Sequence, residues 1–181
     1  FDFVSIVINH DWMSAVGYGQ IGAMDGGPAF SWIDNGPDWR VGTYIHELGH
    51  NLGLWHANAW DSATSVSDDT NGTHYEYEHD FDIMGYSGTH SYDKMHFNAS
   101  FKNALDWLPN SAITTVTADT TIDLYAMDRN ATVPSRTYAI KIPAGISLGS
   151  SSNLDYWIEF RSRYPSNTTL DDGVLVYMST D

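Results

Sequence analysis

Three histidines and one glutamate, all within eleven residues, are the side chains of this sequence best suited to metal chemistry. The stretch HELGHNLGLWH begins at His46 and ends at His56, and its first two histidines are four residues apart. On a helix, residues four apart lie on one side, one turn above the other, so His46 and His50 can share one Zn²⁺. Glu47 lies beside them and can reach a water on the metal without being a ligand.

Gly53 predicts how the third histidine returns to the first two. A glycine just past a helix commonly adopts positive φ and ends it, so the chain turns there and brings His56 back as a third ligand. Three protein ligands with an open fourth position are typical of catalytic zinc. An HExxH match alone arises by chance in roughly one or two chains in a hundred of this length. The added glycine and histidine lower that frequency to on the order of one in ten thousand.

The stretch from His46 to His56 resembles the HExxHxxGxxH zinc motif of the metzincin metalloproteases. Downstream, FDIMGY resembles their Met-turn, with Met84 as the methionine that lies under the zinc site. Ala57 and the run HFNASFKNALDWL are most similar to the gametolysin-like branch. The resemblance implies a zinc-dependent peptidase in which Glu47 is the general base.

Tyr86 follows the proposed Met-turn and matches a Met-x-Tyr pattern seen in astacin-like and serralysin-like metzincins. In those proteins the tyrosine hydroxyl reaches the metal or the oxyanion, which would make Tyr86 a catalytic residue. A buried structural tyrosine is the alternative at this position. Plain core packing is likewise the alternative for Met84, because methionine fills irregular gaps well.

The zinc motif is predicted to lie on an amphipathic helix. Apolar residues recur at helical spacing and form one face of it: Val41, Tyr44, Ile45, Leu48 and Leu52. Gly36, Pro37 and Asp38 predict a turn and a helix start just before it.

Short strands are predicted before this helix. Residues 1–9 are β-branched and aromatic with little alternation, which is typical of a buried strand. Two more strands are predicted near 20–24 and 29–33, where glycines punctuate short apolar pieces. The strand at 20–24 has the place of the metzincin sheet edge that lies along the cleft, and an irregular glycine loop is the alternative. The long helix with which metzincins usually begin is not found.

Between residues 57 and 82 the sequence is polar and acidic, without a sustained period. Its carboxylates are Asp61, Asp68, Asp69, Glu76, Glu78, Asp80 and Asp82. A solvated loop is the simpler interpretation of such a run. The alternative is a loop stiffened by Ca²⁺, since hard oxygen ligands are abundant.

A second helix and a β-rich region are predicted in the remainder of the chain. Asn98 is a plausible N-cap for a helix whose apolar positions are Phe101, Ala104, Leu105 and Leu108, closed by Pro109. Residues 113–125, 137–142, 156–161 and 174–178 read as four short strands. The predicted fold is therefore α+β. A metzincin-type catalytic domain is expected at 1–110, with part of its N-terminal region expected to lie outside this sequence, and a small β-rich appendage is expected at 111–181.

Composition restricts the function classes. The net charge of −15 argues against nucleic-acid binding and against attachment to anionic membrane. No apolar run approaches transmembrane length, and no stretch of this sequence is expected to be a signal peptide. The absence of cysteine excludes disulfides and argues against the disulfide-bearing animal branches of the superfamily. Four N-x-S/T sequons, at Asn71, Asn98, Asn130 and Asn167, favour a secreted, glycosylated protein. The start at Phe1 is expected of a mature or excised piece.

The sequence thus predicts a secreted, monomeric zinc endopeptidase with Zn²⁺ as its cofactor and a polypeptide as its substrate. An extended substrate would pair its backbone with the glycine-bearing edge near Gly22. One alternative is a catalytically retired binding module, which the intact Glu47 argues against. Another is a zinc hydrolase of a non-peptide bond, which the histidine spacing does not exclude.

Overall fold

A computed structural model of the chain describes residues 2–8, 15–23, 26–34, 41–62, 72–85, 96–128, 133–148, 152–162 and 173–180. The chain divides into two compact units, Phe1–His96 and Phe97–Asp181. The predicted α+β class is confirmed, because both helices and strands are present and strands predominate. Helices in these ranges are all too short or too polar to cross a membrane.

A small mixed sheet forms the base of the first unit. It contains β1 (Phe3–Ile8), β2 (Gly17–Gly19) and β3 (Ala29–Asp34), in the order β1-β3-β2. β3 runs parallel to β1 and antiparallel to β2. Alternate residues of β3 are buried, as expected for a strand with one face on the core.

The strand predicted at residues 1–9 is confirmed as β1, but its predicted burial is wrong. Phe3, Ile6 and Val7 are all exposed. Among the described elements, β1 makes extensive contact with β3 alone, so little covers the side chains on its two faces.

The strand predicted at residues 20–24 is also wrong, since the strand of this region is β2 at Gly17–Gly19. Gly22 has a φ of +69° and its N–H donates to the carbonyl of His50 at 2.8 Å, which takes the chain out of the sheet. The strand predicted at 29–33 is confirmed as β3. The turn predicted at 36–38 lies outside the described residues.

The predicted zinc helix is confirmed as α1 (Val41–Asn51). The Gly53 N–H donates to the His50 carbonyl at 2.8 Å, and the Leu54 N–H donates to the Gly49 carbonyl at 3.0 Å. With the φ of +97° at Gly53, these bonds make a Schellman motif. The sequence-based prediction that this glycine ends the helix is therefore confirmed.

The polar side of α1 is the buried one. His46, Glu47 and His50 are buried, whereas Val41 and Tyr44 of the apolar face are exposed. Asn51 fixes this orientation, because its side-chain amide donates to the carbonyls of Gln20 at 3.0 Å and Phe30 at 2.9 Å. The end of the helix is thereby tied to the ends of β2 and β3.

The acidic region after α1 contains more regular structure than predicted. β4 (Ala59–Asp61) and β5 (Thr73–Tyr75) pair antiparallel, while residues 63–71 between them lie outside the described residues. A tight turn follows at 82–85, where the Gly85 N–H donates to the Asp82 carbonyl at 3.0 Å. The acidic run is therefore not all loop. Its two strands are only three residues long each, too short to show a period in the sequence.

The second unit packs a short helix against a four-stranded sheet. Its helix α2 (Ala99–Ala104) begins at Asn98, whose side chain accepts from the Phe101 N–H as predicted. A 3₁₀ turn at Asn110–Ala112 leads into the sheet β6-β7-β8-β9. The bounds of these strands are Ile113–Thr115, Ala139–Leu148, Ser152–Phe160 and Val174–Thr180.

Several predicted bounds in this unit are wrong. The strands predicted at 137–142 and 156–161 are longer, at Ala139–Leu148 and Ser152–Phe160. The helix ends at Ala104 rather than running to Leu108, because Asp106 adopts a φ of +58°. The strand predicted at 113–125 ends at Thr115. The division between units at Phe97 concerns compactness, so the predicted limits of the catalytic domain, 1–110, remain a prediction.

Candidate metal centre

Three histidines of the first unit converge on one point. One ring nitrogen each from His46, His50 and His56 lies within 4.8 Å of the others. The Nε2 atoms of His50 and His56 are 3.1 Å apart. Two nitrogens bound to one tetrahedral zinc at about 2.0–2.1 Å are roughly 3.3 Å apart, so this spacing fits a shared ion.

The opposite ring nitrogen of each histidine already has a partner. Nδ1 of His46 bonds the Ile83 carbonyl and Nδ1 of His50 bonds the Leu54 carbonyl, both at 2.8 Å. Nδ1 of His56 lies 2.6 Å from Oε1 of Glu76. Because carbonyls and carboxylates accept, each Nδ1 carries the proton and each Nε2 keeps its lone pair for a metal. The donor set therefore fits zinc.

Burial keeps two of these ligands neutral. It lowers the pKa of His46 to about 4, and the positive charge that His50 and His56 would carry adds to this effect. The pKa of His50 is lowered as well, again chiefly by burial. A neutral imidazole is the form that binds a metal, so His46 is ready to ligate well below neutral pH.

Glu47 is only 6% exposed, and burial raises the pKa of its carboxyl to about 7 from the usual 4.5. Among the residues that the structure describes, none donates a hydrogen bond to this carboxylate. A desolvated carboxyl with a pKa near neutrality is suited to accept and release a proton in turn.

Two glycines let β2 lie directly against Glu47. A Cβ atom on Gly17 would be 2.5 Å from Oε1 of Glu47, and one on Gly19 would be 2.6 Å from the Glu47 carbonyl oxygen. Real Cβ contacts are not that short. Because the contact at Gly19 is with the helix backbone, a side chain there would push the strand away from the helix, whereas at Gly17 the Glu47 side chain would have to move. The glycine spacing GYG thus positions a sheet edge beside the glutamate.

Among the described strands, β2 pairs with β3 on one side and has no strand on its other side. The Val16 carbonyl accepts from the Asp34 N–H at 3.0 Å, and the Gln20 N–H donates to the Phe30 carbonyl at 2.9 Å. Since backbone groups alternate in direction along an antiparallel strand, those of Gly17 and Gly19 point away from β3.

The sequence model of one protein family matches residues 7–111, more than half of the chain, and its description is Metallo-peptidase family M12B Reprolysin-like. The chain belongs to this family. Membership indicates a metallopeptidase and implies a polypeptide substrate, and the three-histidine cluster indicates zinc as the metal. Comparisons with curated proteins and with solved structures returned no match.

The turn that contacts the three-histidine cluster contains Asp82, Ile83 and Met84. Met84 is fully buried; its N–H donates to Oδ1 of Asp82 at 2.7 Å, and its carbonyl accepts from the Ala57 N–H at 2.8 Å. The carbonyl of Ile83 is the partner of His46. These bonds connect the predicted Met-turn to His46 and to Ala57, the residue that follows His56.

Tyr86, the predicted catalytic tyrosine, lies outside the described residues, as do Asp68 and Asp69 of the acidic run. The role of that tyrosine and the choice between a solvated and a calcium-binding loop therefore stay predictions. Among described residues, the three histidines are the group whose spacing could hold a metal ion.

Sequence reasoning missed two neighbours of this M12B metal centre. Glu76 was one carboxylate among many in an acidic run, and Tyr77 was not singled out. The Tyr77 ring centroid lies 3.8 Å from that of His56 and 6.0 Å from that of His46. The sequence gives no indication that Tyr77 lies close to the histidines, because this closeness depends on the pairing of β4 with β5.

Proposed function

We propose that this M12B family member is a secreted zinc-dependent endopeptidase of the metzincin type, with Glu47 as its general base. The observation that carries the proposal is the joint arrangement of the three histidines and the glutamate. Each histidine Nδ1 is held by an acceptor, their metal-binding nitrogens converge, and the residue after His46 on α1 is Glu47, whose carboxyl is buried.

Zinc bound by the three Nε2 atoms would polarise the scissile carbonyl and lower the pKa of a bound water. The chain's own groups do the rest. Glu47 takes the proton of the attacking water and passes it to the leaving amine, so one carboxyl serves as base and then as acid. In the metal-free chain burial raises the pKa of this carboxyl to about 7, which favours its accepting a proton. The backbone carbonyls of Ile83 and Leu54 keep His46 and His50 in the ligating tautomer.

The substrate would bind as an added strand along β2. Gly17 and Gly19 offer backbone donors and acceptors on the side away from β3, next to Glu47. This replaces the edge near Gly22 expected from the sequence, since Gly22 bonds the end of α1 instead. Recognition through backbone groups would bind extended peptides with little preference for their sequence.

Finer assignments accompany this proposal. The gametolysin-like branch is favoured by Ala57 and by the run from His96 to Leu108, and Met84 would be the Met-turn methionine. Proteins of the M12B family are often extracellular, which agrees with secretion. A monomer without nucleic-acid or membrane partners is expected from the charge.

The test is hydrolysis of casein or gelatin by the purified chain, with and without a chelator, together with metal analysis. We expect one zinc per chain, loss of hydrolysis when the zinc is removed, and recovery when zinc is returned. Hydrolysis unaffected by complete zinc removal would overturn the proposal. So would a zinc-loaded protein that cleaves no polypeptide, which is the behaviour expected of a retired binding module.

A further inference from the structure

His56 differs from the other two histidines in how it is supported. His46 and His50 lie on α1, and both bond backbone carbonyls. His56 lies beyond the Schellman turn, in a stretch with no regular secondary structure, and its side chain is 19% exposed. Without further contacts, this third ring would be the least restricted of the set.

Two consecutive residues after β5 restrict it. Oε1 of Glu76 lies 2.6 Å from Nδ1 of His56. The ring of Tyr77 packs on the same imidazole, with centroids 3.8 Å apart and planes inclined by 39°. The carboxylate therefore fixes the rotation of the ring, and the phenol covers one of its faces.

The backbone holds these two residues in place. β5, which ends at Tyr75, pairs with β4, and β4 begins three residues after His56. The Tyr77 N–H donates to Oδ1 of Asn58 at 3.0 Å. Tyr77 also adopts a φ of +67°, a conformation that residues with a Cβ rarely take unless the surroundings impose it. The chain thus maintains an unfavourable backbone at the residue that covers the histidine.

We propose that Glu76 is a positioning residue for the third metal ligand, and that the Tyr77 ring backs the same imidazole; this rests on the proposed zinc site. The carboxylate accepts the Nδ1 proton, which fixes the tautomer with Nε2 free to bind the metal and makes that nitrogen a stronger donor. It acts on zinc only through His56.

A surface ion pair with no such role is the competing explanation. The Glu76 side chain is 59% exposed, and exposed pairs contribute little to folding stability. The two explanations differ in what removal of the carboxylate changes. A positioning residue affects the metal and leaves the fold unchanged, whereas a solvated pair affects neither.

The experiment measures the zinc dissociation constant of the full chain by competition with a chromogenic chelator. Glu76→Ala is compared with Glu78→Ala, which removes the same charge from an exposed residue two positions on. We expect Glu76→Ala to weaken zinc binding by about 10- to 100-fold, and Glu78→Ala by less than about twofold. Glu76→Gln keeps an acceptor for the Nδ1 proton and should fall between wild type and Glu76→Ala.

Two further readouts separate positioning from folding. The melting temperature of the metal-free chain should be the same for Glu76→Ala and wild type. The visible spectrum of the Co²⁺-loaded protein should change in Glu76→Ala and stay unchanged in Glu78→Ala, because cobalt reports ligand geometry directly. For the backing ring, Tyr77→Phe should keep wild-type zinc affinity and Tyr77→Ala should lose part of it.

Equal zinc affinities for Glu76→Ala and Glu78→Ala, in a chain whose wild type binds zinc, would overturn this inference and leave the proposed function standing. A lower metal-free melting temperature in Glu76→Ala, with a cobalt spectrum like that of wild type, would also overturn it. A wild-type chain that binds no zinc would overturn both.

Discussion

Two buried glutamates, one in each unit, occupy opposite kinds of environment. Glu159 is fully buried and surrounded by partners: Arg161, the Tyr177 hydroxyl at 3.0 Å and the Ala99 N–H at 2.6 Å. Glu47 is almost as buried, at 6% exposure, yet no described residue donates to it. Similar burial thus accompanies a satisfied carboxylate in one unit and a desolvated one in the other.

The difference separates a structural carboxylate from one available for chemistry. Glu159 connects β8 to α2 and β9 through its acceptors, so its charge is neutralised by the fold itself. No residue in the described part of the chain donates a hydrogen bond that would offset the desolvation of Glu47, and burial raises the pKa of its carboxyl. A buried acid without donors is costly to folding, which is expected where the group serves a reaction.

The largest expected effect is on catalysis. Glu47→Gln removes the proton acceptor and leaves all three histidines in place, so we expect peptide hydrolysis to fall by about 10²- to 10⁴-fold with zinc content unchanged. Turnover numbers and metal analysis of the purified variant check this. Glu78→Gln is the matched control. A Glu47→Gln enzyme that kept most of its turnover would show that Glu47 is not the general base.

Glu159→Ala should instead damage the fold. It leaves the buried Arg161 without its carboxylate, and we expect a loss of about 3–5 kcal/mol in the free energy of unfolding of the second unit. Denaturant titration followed by tryptophan fluorescence measures it, since one of the seven tryptophans, Trp157, is buried in that unit's core. Glu159→Gln keeps the size of the side chain and one of its two acceptor oxygens, so it should lose less. If Glu159→Ala changed the free energy of unfolding by less than about 1 kcal/mol, Glu159 would not be the structural carboxylate that this contrast with Glu47 requires.

The pH dependence of stability gives the next effect. Burial raises the pKa of Glu47 in the folded, metal-free chain from 4.5 to about 7. Between these values the unfolded chain has released the proton that the folded chain retains, so the contribution of Glu47 to stability is lost as the pH rises through that window. Metal-free Glu47→Gln should therefore become more stable than wild type, by up to about 3 kcal/mol at pH 8.

Measured stabilities of the two metal-free proteins at pH 4.5, 6 and 8 test this. Both proteins carry the same histidines, so the opposite titration of His46 affects them alike. A stability difference that stays constant over this range would show that Glu47 titrates normally.

The smallest effect concerns the strand beside Glu47. A Cβ on Gly19 would meet the backbone of α1, so Gly19→Ala should cost about 1–3 kcal/mol by displacing β2. Gly42→Ala is the control, because its added Cβ has only the Ile83 side chain near it, at 4.0 Å, and alanine favours helix. Thermal unfolding of both variants compares them, and equal stabilities would mean that β2 adjusts freely.

The centre of the site was predictable because its signals are local. Periodicity located α1, and the glycine at position 53 predicted the positive φ that ends the helix and turns the chain so that His56 lies near His46 and His50. Asn98 likewise identified the start of α2 from a cap that spans four residues. Each of these interactions closes within one or two turns of chain, where spacing in sequence translates directly into geometry.

The surroundings were not predictable in the same way. The position of β2 depends on how closely Gly17 and Gly19 can approach Glu47, which is a property of packing between distant segments. Glu76 reaches His56 across twenty residues of sequence through the β4–β5 pairing. Acidic composition pointed to a loop or to calcium, because it gives no information on which carboxylate meets a histidine.

The cap of α2 has a consequence for producing the protein. Asn98 belongs to an N-x-S/T sequon, yet it is 4% exposed and its side-chain oxygen accepts from the Phe101 N–H at 2.8 Å. A sugar chain transferred to this amide before folding would have no room beside the closed second unit. An expression host that glycosylates asparagine therefore sets oligosaccharide transfer in competition with folding at Asn98, and a host without that machinery avoids the competition.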